Sequence, residues 1–145
     1  MVTAQSEGGE TIAMVVGSFS SVSLTPPLVA FFPSRESKSW ARLRDSRFFC
    51  VNVLGAAQEV VCRQLASKST DKFVGVAHRR SALGNPILDG AIAWIDCELH
   101  SVTDVGDHEM VLGRVVDLDA GEDGPPLVFF RGGFGMFASA VPDDA

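Results

Sequence analysis

The sequence is 145 residues long, enough for one hydrophobic core and too short for two, and its apolar and charged fractions are those of a globular chain rather than a disordered one. Its formal net charge of −6 argues against a nucleic-acid binder, because neutralising phosphates needs a basic face, and no apolar run approaches the roughly 20 residues that span a bilayer. The three cysteines, Cys50, Cys62 and Cys97, are odd in number and form no CxxC pair, which disfavours a disulfide framework or structural zinc and makes a reducing cytosol the expected compartment.

Strand signals dominate the chain in order. Met1 to Glu10 has no basic region followed by an apolar core, so no signal peptide is expected; Val2 to Gln5 is a short extended piece, and Ile12 to Val16 is a second strand after a Gly8-Gly9 turn. Leu28 to Phe32, behind Pro26-Pro27, is a continuous apolar run short enough to be a buried strand. Ser37 to Ser46 predicts a helix with serine caps, Trp40, Leu43 and a basic face. Phe48 to Leu54 is an apolar strand interrupted by Asn52. Ala56 to Ser67 predicts a second helix, with Val61 and Leu65 on one stripe and Cys62 beside them. Lys68 to Gly90, rich in Ser, Gly, Asn and Pro, reads as a long excursion loop, and loops of that length are usually functional. In Ile95 to Val102 the residues alternate, with Ile95, Cys97 and Leu99 facing one way and Asp96, Glu98 and His100 the other, as in a half-solvated antiparallel strand. Met110 to Leu118 and Leu127 to Arg131 complete the strands, and Val141 to Ala145 is a solvated tail. Many short strands with two helices predict a closed or nearly closed β-barrel with helical decorations, a single domain over residues 1–145. A mean hydropathy that is high for a small soluble monomer points to a buried oligomer face.

Several segments together resemble a known family: GSFSSVSLTPPLVAFFP (Gly17 to Pro33), SKSW (Ser37 to Trp40), FCVNVL (Phe49 to Leu54), DKFVGV (Asp71 to Val76), GDHEMVLGRV (Gly106 to Val115) and PLVFFRGGF (Pro126 to Phe134). In this order and spacing they resemble the short-chain flavin reductases, the small reductase components of two-component flavin-dependent monooxygenases. The resemblance implies a mainly β fold, a Greek-key split β-barrel with two or so peripheral helices. It also implies bound FMN or FAD, NADH or NADPH as hydride donor, a homodimer, and delivery of reduced flavin by diffusion to a monooxygenase component. Such proteins carry an N-terminal helix and a TGV-containing segment ahead of the strand matching Val2 to Ala4, and this sequence begins inside that strand. Threonine is common in the family at the place of Val15, and tyrosine near Phe134, whereas this chain has no tyrosine. The alternative from another class is a split-barrel protein that holds a flavin, or another cofactor, without reducing it.

Such a reductase needs few reactive side chains, because hydride passes between cofactors that the protein only has to stack and polarise. Gly17, Ser18, Ser20, Ser21 and Ser23 offer backbone amides and hydroxyls to a planar polar ring edge, and the resemblance puts Gly17, Ser18, Phe19 and Ser20 along the isoalloxazine and ribityl chain; the bland reading is a Ser-rich strand end or turn. Ser34, Ser37 and Ser39, with Arg35 and Lys38, stand at a helix start where free N–H groups attract a phosphate, or are an ordinary cap. Asn52 is either a flavin contact or an outward-facing strand residue. Phe73 flanks a ring or anchors its loop. His108, in the Gly106-Asp107-His108 step between two strands, sits at a barrel rim that the resemblance places near the nicotinamide; it is the expected catalytic residue, against a solvated turn histidine. Arg131 ends the last strong strand beside the dinucleotide pocket that the resemblance implies. No His, Cys or carboxylate group has metal-ligand spacing.

Overall fold

The computed structural model describes residues 1–137 and 139, and the tail expected from Val141 to Ala145 lies outside them. In chain order the elements are β1 (Val2–Gln5), β2 (Thr11–Met14), β3 (Phe19–Leu24), β4 (Pro27–Phe31), α1 (Lys38–Leu43), β5 (Phe48–Leu54), α2 (Glu59–Ala66, entered through a 3₁₀ turn at Ala56–Gln58), β6 (His78–Arg80), β7 (Pro86–Leu88), β8 (Ala91–Val105), β9 (His108–Ala120), β10 (Leu127–Phe130) and β11 (Gly133–Met136).

Seven strands form one sheet in the order β2-β1-β5-β8-β9-β4-β3, with every pairing antiparallel. Its two edge strands, β2 and β3, are joined by Val15–Ser18 alone. Laid flat, seven strands would put those edges about 29 Å apart, at ~4.8 Å per strand. The five peptide steps from Met14 to Phe19 reach about 17 Å at most. The sheet must therefore curl until its edges face one another. No ladder joins β2 to β3, so the result is a barrel split along that seam. Register shifts at Ser21/Ser23, Val53/Leu54, Asp96/Cys97 and Leu99/Ser101 add local twist to the curl.

The core confirms the curl: Ile12 and Met14 from one edge pack in the same cluster as Val29 and Phe31 from beside the other, with Val2, Phe49, Val51, Cys97 and Val111 between. Trp40 and Leu43 of α1 are buried in that cluster, with α1 packed against β1 and β2. Phe31 meets Trp40 and Phe49 edge to face, at 5.8 and 5.4 Å. Gly113 faces this core because an added Cβ would lie 2.4 Å from Phe49 Cζ.

The fold is the split barrel expected from the sequence, with three local corrections. The serine-rich stretch from Phe19 is a full edge strand; its serines are mostly exposed, so it lacks the apolar alternation by which strands are read. The excursion from Lys68 to Gly90 is not all loop: its second half folds into the β6–β7 hairpin, which covers the outer face of β5 and β8. Asp96 is consequently buried rather than solvated, with Oδ1 accepting from Asn85 Nδ2 at 2.7 Å. The last strong strand also has a partner, β11, whose glycines hid it.

Candidate functional site

The seam between β2 and β3 is where chain segments distant in sequence converge. The bridging residues Val15–Ser18 are pinned at one end, where the Ser18 hydroxyl accepts from the Phe32 N–H at 3.1 Å and lies 3.2 Å from its carbonyl. Past β4 the chain pairs with the tip of the β8–β9 hairpin. Ser34 bridges His108, the Glu109 N–H donates to Pro33 O at 3.0 Å, and the Arg35 N–H donates to Asp107 O at 3.1 Å. The tight turn that presents His108 needs a positive φ, which Gly106 supplies at +64°. The Ser37 N–H then donates to Ser34 O and α1 begins. These contacts border an open hollow of about 360 Å³ lined by Met14, Val15, Val16, Gly17, Ser18, Phe32, Pro33, Ser34, Ser37 and His108. An added Cβ at Gly17 would meet nothing within 4 Å, so bare backbone faces open space there.

His108 is half-buried. Its Nδ1 lies 2.7 Å from Asp107 Oδ1, and this hydrogen bond, with the neighbouring charge, holds the Asp107 carboxyl below the usual range. Among the described residues no partner is seen for His108 Nε2.

Ser37 also lines two further hollows that continue the first. A small one of about 190 Å³ adds Ser39, Leu65 and Lys72; beyond it lies one of about 520 Å³ whose walls include Lys38, Ser39, Arg42, Lys68 and Lys72, with Glu36 as their acidic neighbour. Lys72 Nζ donates to Ser39 Oγ at 3.4 Å. Burial, and secondarily the charge of Arg42, lowers the Lys72 pKa below that of an ordinary lysine. Arg42 is paired with Glu10. Among the described residues Lys38, Lys68 and Lys72 have no carboxylate within ion-pair distance. The groove thus runs from a histidine rim to an unneutralised cationic end.

The expected phosphate-site residues Ser37, Lys38 and Ser39 do line this cationic hollow, but through a different local arrangement from the helix start that was expected. The Ser37 hydroxyl caps α1, accepting the Trp40 N–H at 3.2 Å. That helix has only six residues, so its dipole is small and the lysines supply the anion attraction. Arg42 on α1, and Lys68 and Lys72 after α2, come from segments that only the fold brings together, so no local sequence signal joins them to Ser37 and Ser39.

The other predicted residues fall outside this groove or only border it. Phe19 and Asn52 line an adjoining apolar hollow of about 220 Å³ with Val15, Val16, Leu127, Phe129 and Phe134. The Asn52 side chain is almost wholly buried and fully engaged: Oδ1 accepts the Leu88 N–H at 2.8 Å, and Nδ2 donates to Thr3 Oγ1 at 3.0 Å and to Pro86 O at 3.4 Å. It fastens the β6–β7 hairpin to the barrel, a third role besides the two that the sequence offered. Ser20 is exposed on β3 and bonds the Ser21 carbonyl. Phe73 packs against the Leu65 and Leu88 cluster and sits edge-on to His78 at 5.4 Å, so it anchors its loop. Arg131 stands in the β10–β11 turn with its guanidinium over Phe130 at 5.2 Å, and it does not line the hollow beside His108.

The buried cysteines are unpaired, and burial raises all three thiols, Cys50 and Cys97 to about 12, which leaves no thiolate nucleophile. Among the described residues no group of His, Cys, Asp or Glu could hold a metal ion, and no helix is long and apolar enough to cross a membrane.

The flavin reductase like domain family matches residues 1–138. A flavin reductase of Pseudomonas putida is 51% identical over 95% of this chain and 81% of its own. The reductase subunit HsaB of a flavin-dependent monooxygenase from Rhodococcus jostii is 44% identical over 94% of this chain and 69% of its own. Among solved structures, the NADH:FAD oxidoreductase SgcE6 of Streptomyces globisporus, in complex with NAD and FAD fragments, superposes with a TM-score of 0.88 at 34% identity, over 99% of this chain and 85% of that one.

Proposed function

This chain belongs to the flavin reductase like family, and we propose that it reduces FMN or FAD with NADH or NADPH in the groove just described and supplies the reduced flavin to a separate monooxygenase component. One observation carries the reading. Gly17 and Ser18, Ser34 and Ser37, and His108, remote in sequence, wall a single hollow that continues into a cationic pocket.

The residues fit a flavin. Bare backbone at Gly17 leaves room for a flat ring against Val15 and Val16, and three lysines with no ion-pair partner among the described residues suit a phosphate at the far end. When bound, the flavin supplies the ring that accepts hydride from the nicotinamide. The protein binds and orients. Lys72 and Ser39, with Lys38 and Lys68, hold the phosphate end. The wall at Met14–Val16 keeps water from one face of the ring. His108, oriented by Asp107, offers Nε2 to the dinucleotide at the rim. No side chain has to exchange a proton or form a covalent bond for the hydride to move.

Exposed Phe129, Phe130, Met136 and Phe137 on and beside the β10–β11 hairpin, next to the apolar hollow, support a homodimer through this face. Three buried free thiols suit a reducing compartment, and we assign the protein to the cytoplasm.

Mixing the protein anaerobically with NADH and FMN tests the reading: the nicotinamide and oxidised-flavin bands should fall together. Tightly held FMN with both bands unchanged would make the protein a flavin carrier instead.

A further inference from the structure

Glu109 follows His108 on β9 but turns inward, and is 3% exposed. A buried carboxylate is costly unless both oxygens are satisfied. Both are, and both by α1. Trp40 Nε1 donates to Oε2, and Arg44 Nη1, at the C-cap of the helix, lies 3.0 Å from Oε1. The same helix carries Lys38, Ser39 and Arg42 into the cationic pocket, while the residue before Glu109 forms the rim. One carboxylate therefore ties the wall at one end of the groove to the strand at the other.

We propose that Glu109 is a positioning residue for the flavin site, one that fixes the phosphate-holding face of α1 against the strand bearing His108 through Trp40 and Arg44. The proposal rests on the functional reading above. Packing alone does not explain the arrangement. Trp40 and Leu43 already bury the helix, and a buried ion pair is often no more stable than apolar residues of equal volume. What the carboxylate adds is register: two hydrogen-bonding partners on successive turns of α1 let the helix neither slide nor rotate on the barrel.

The test is the double variant Trp40→Phe with Glu109→Met. It keeps an apolar core, leaves no buried donor or acceptor unpaired, and frees Arg44, whose side chain is half-exposed, to reach water. FMN and riboflavin affinities are measured by quenching of flavin fluorescence, alongside the melting temperature. The unaltered protein should prefer FMN to riboflavin. In the double variant that preference should shrink about tenfold, equivalent to ~1.4 kcal/mol, with riboflavin affinity and melting temperature little changed. A merely structural role would weaken both ligands together. A preference that survives intact in a folded double variant overturns the positioning role alone. If the unaltered protein shows no preference, the phosphate wall itself is refuted, and the positioning role with it. Should the double variant not fold, Arg44→Met, which removes only the half-exposed partner, is read in its place: a reduced preference supports the proposal and an unchanged one overturns it.

Discussion

Ser34 and His108 are partners in an antiparallel bridge, so the segment leaving β4 and the tip of the β8–β9 hairpin form one rigid rim. His108 is thereby held over the hollow instead of swinging free as a turn residue would. Replacing His108 with alanine should raise the apparent KM for the nicotinamide nucleotide by about tenfold, the loss of one hydrogen bond in a half-dry site, while flavin affinity changes much less. Steady-state kinetics with each substrate varied in turn will read this, and an unchanged nicotinamide KM removes the role given to the imidazole.

Lys72 gives the cationic end a pH signature. Its folded-state pKa is lowered by burial, so in the unliganded protein the ammonium loses its proton at a lower pH than an ordinary lysine. Phosphate binding needs the charged form. FMN affinity should therefore fall as pH rises through that lowered pKa, whereas riboflavin affinity should stay flat across the same range. Lys72→Met should weaken FMN by about tenfold near neutral pH, the scale of one charge-assisted hydrogen bond, and abolish the alkaline decline. An alkaline decline shared equally by riboflavin would assign the effect to another group.

Gly17 separates site from scaffold. Its Cβ position is open, so Gly17→Leu should leave the melting temperature within a few degrees while it weakens flavin binding by on the order of tenfold, because the added side chain fills the space kept for the ring. Thermal unfolding and a fluorescence titration on the same sample decide it. Unimpaired binding would put the ring elsewhere.

Asn52 should behave in the opposite way. Asn52→Ala strands the Leu88 N–H in a dry interior and removes one donor to the Thr3 hydroxyl, which still donates to Pro86 O, and this should lower stability by about 2 kcal/mol by chemical denaturation while the preference for FMN over riboflavin persists. Loss of that preference without loss of stability would return Asn52 to the binding site.

These contrasts mark how far the sequence could be read. The strands with apolar runs, β4 and β5, and the serine-capped start of α1 were legible because local chemistry alone determines them. Gly17, Ser18, Ser34, Ser37 and His108 were named as site residues and do meet, since the Ser-rich link and the Gly-Asp-His turn carry local signals of bare backbone and tight turning. What was not legible depends on non-local burial. Asp96 and Asn52 look like solvent-facing polar residues until the β6–β7 hairpin folds over them, and a strand's alternation cannot foretell a lid contributed by a Gly- and Ser-rich loop. Lys72 looked like any loop lysine, because its neighbours Ser39 and Arg42 come from a helix on the far side of β5 in the sequence. Ser20, exposed on an edge strand, and Arg131, exposed in the β10–β11 turn, do not line the hollow beside His108, a placement that strand pairing decides and local composition does not.

The most direct test of the central claim, that one groove holds the flavin from the His108 rim to the Lys72 pocket, is a crystal structure with FMN and an oxidised nicotinamide bound. The account predicts the phosphate within hydrogen-bond distance of Lys72 and Ser39, the ring against Val15–Gly17, and the nicotinamide beside His108. A phosphate bound away from Lys72, or a ring on the opposite side of the barrel, would contradict it.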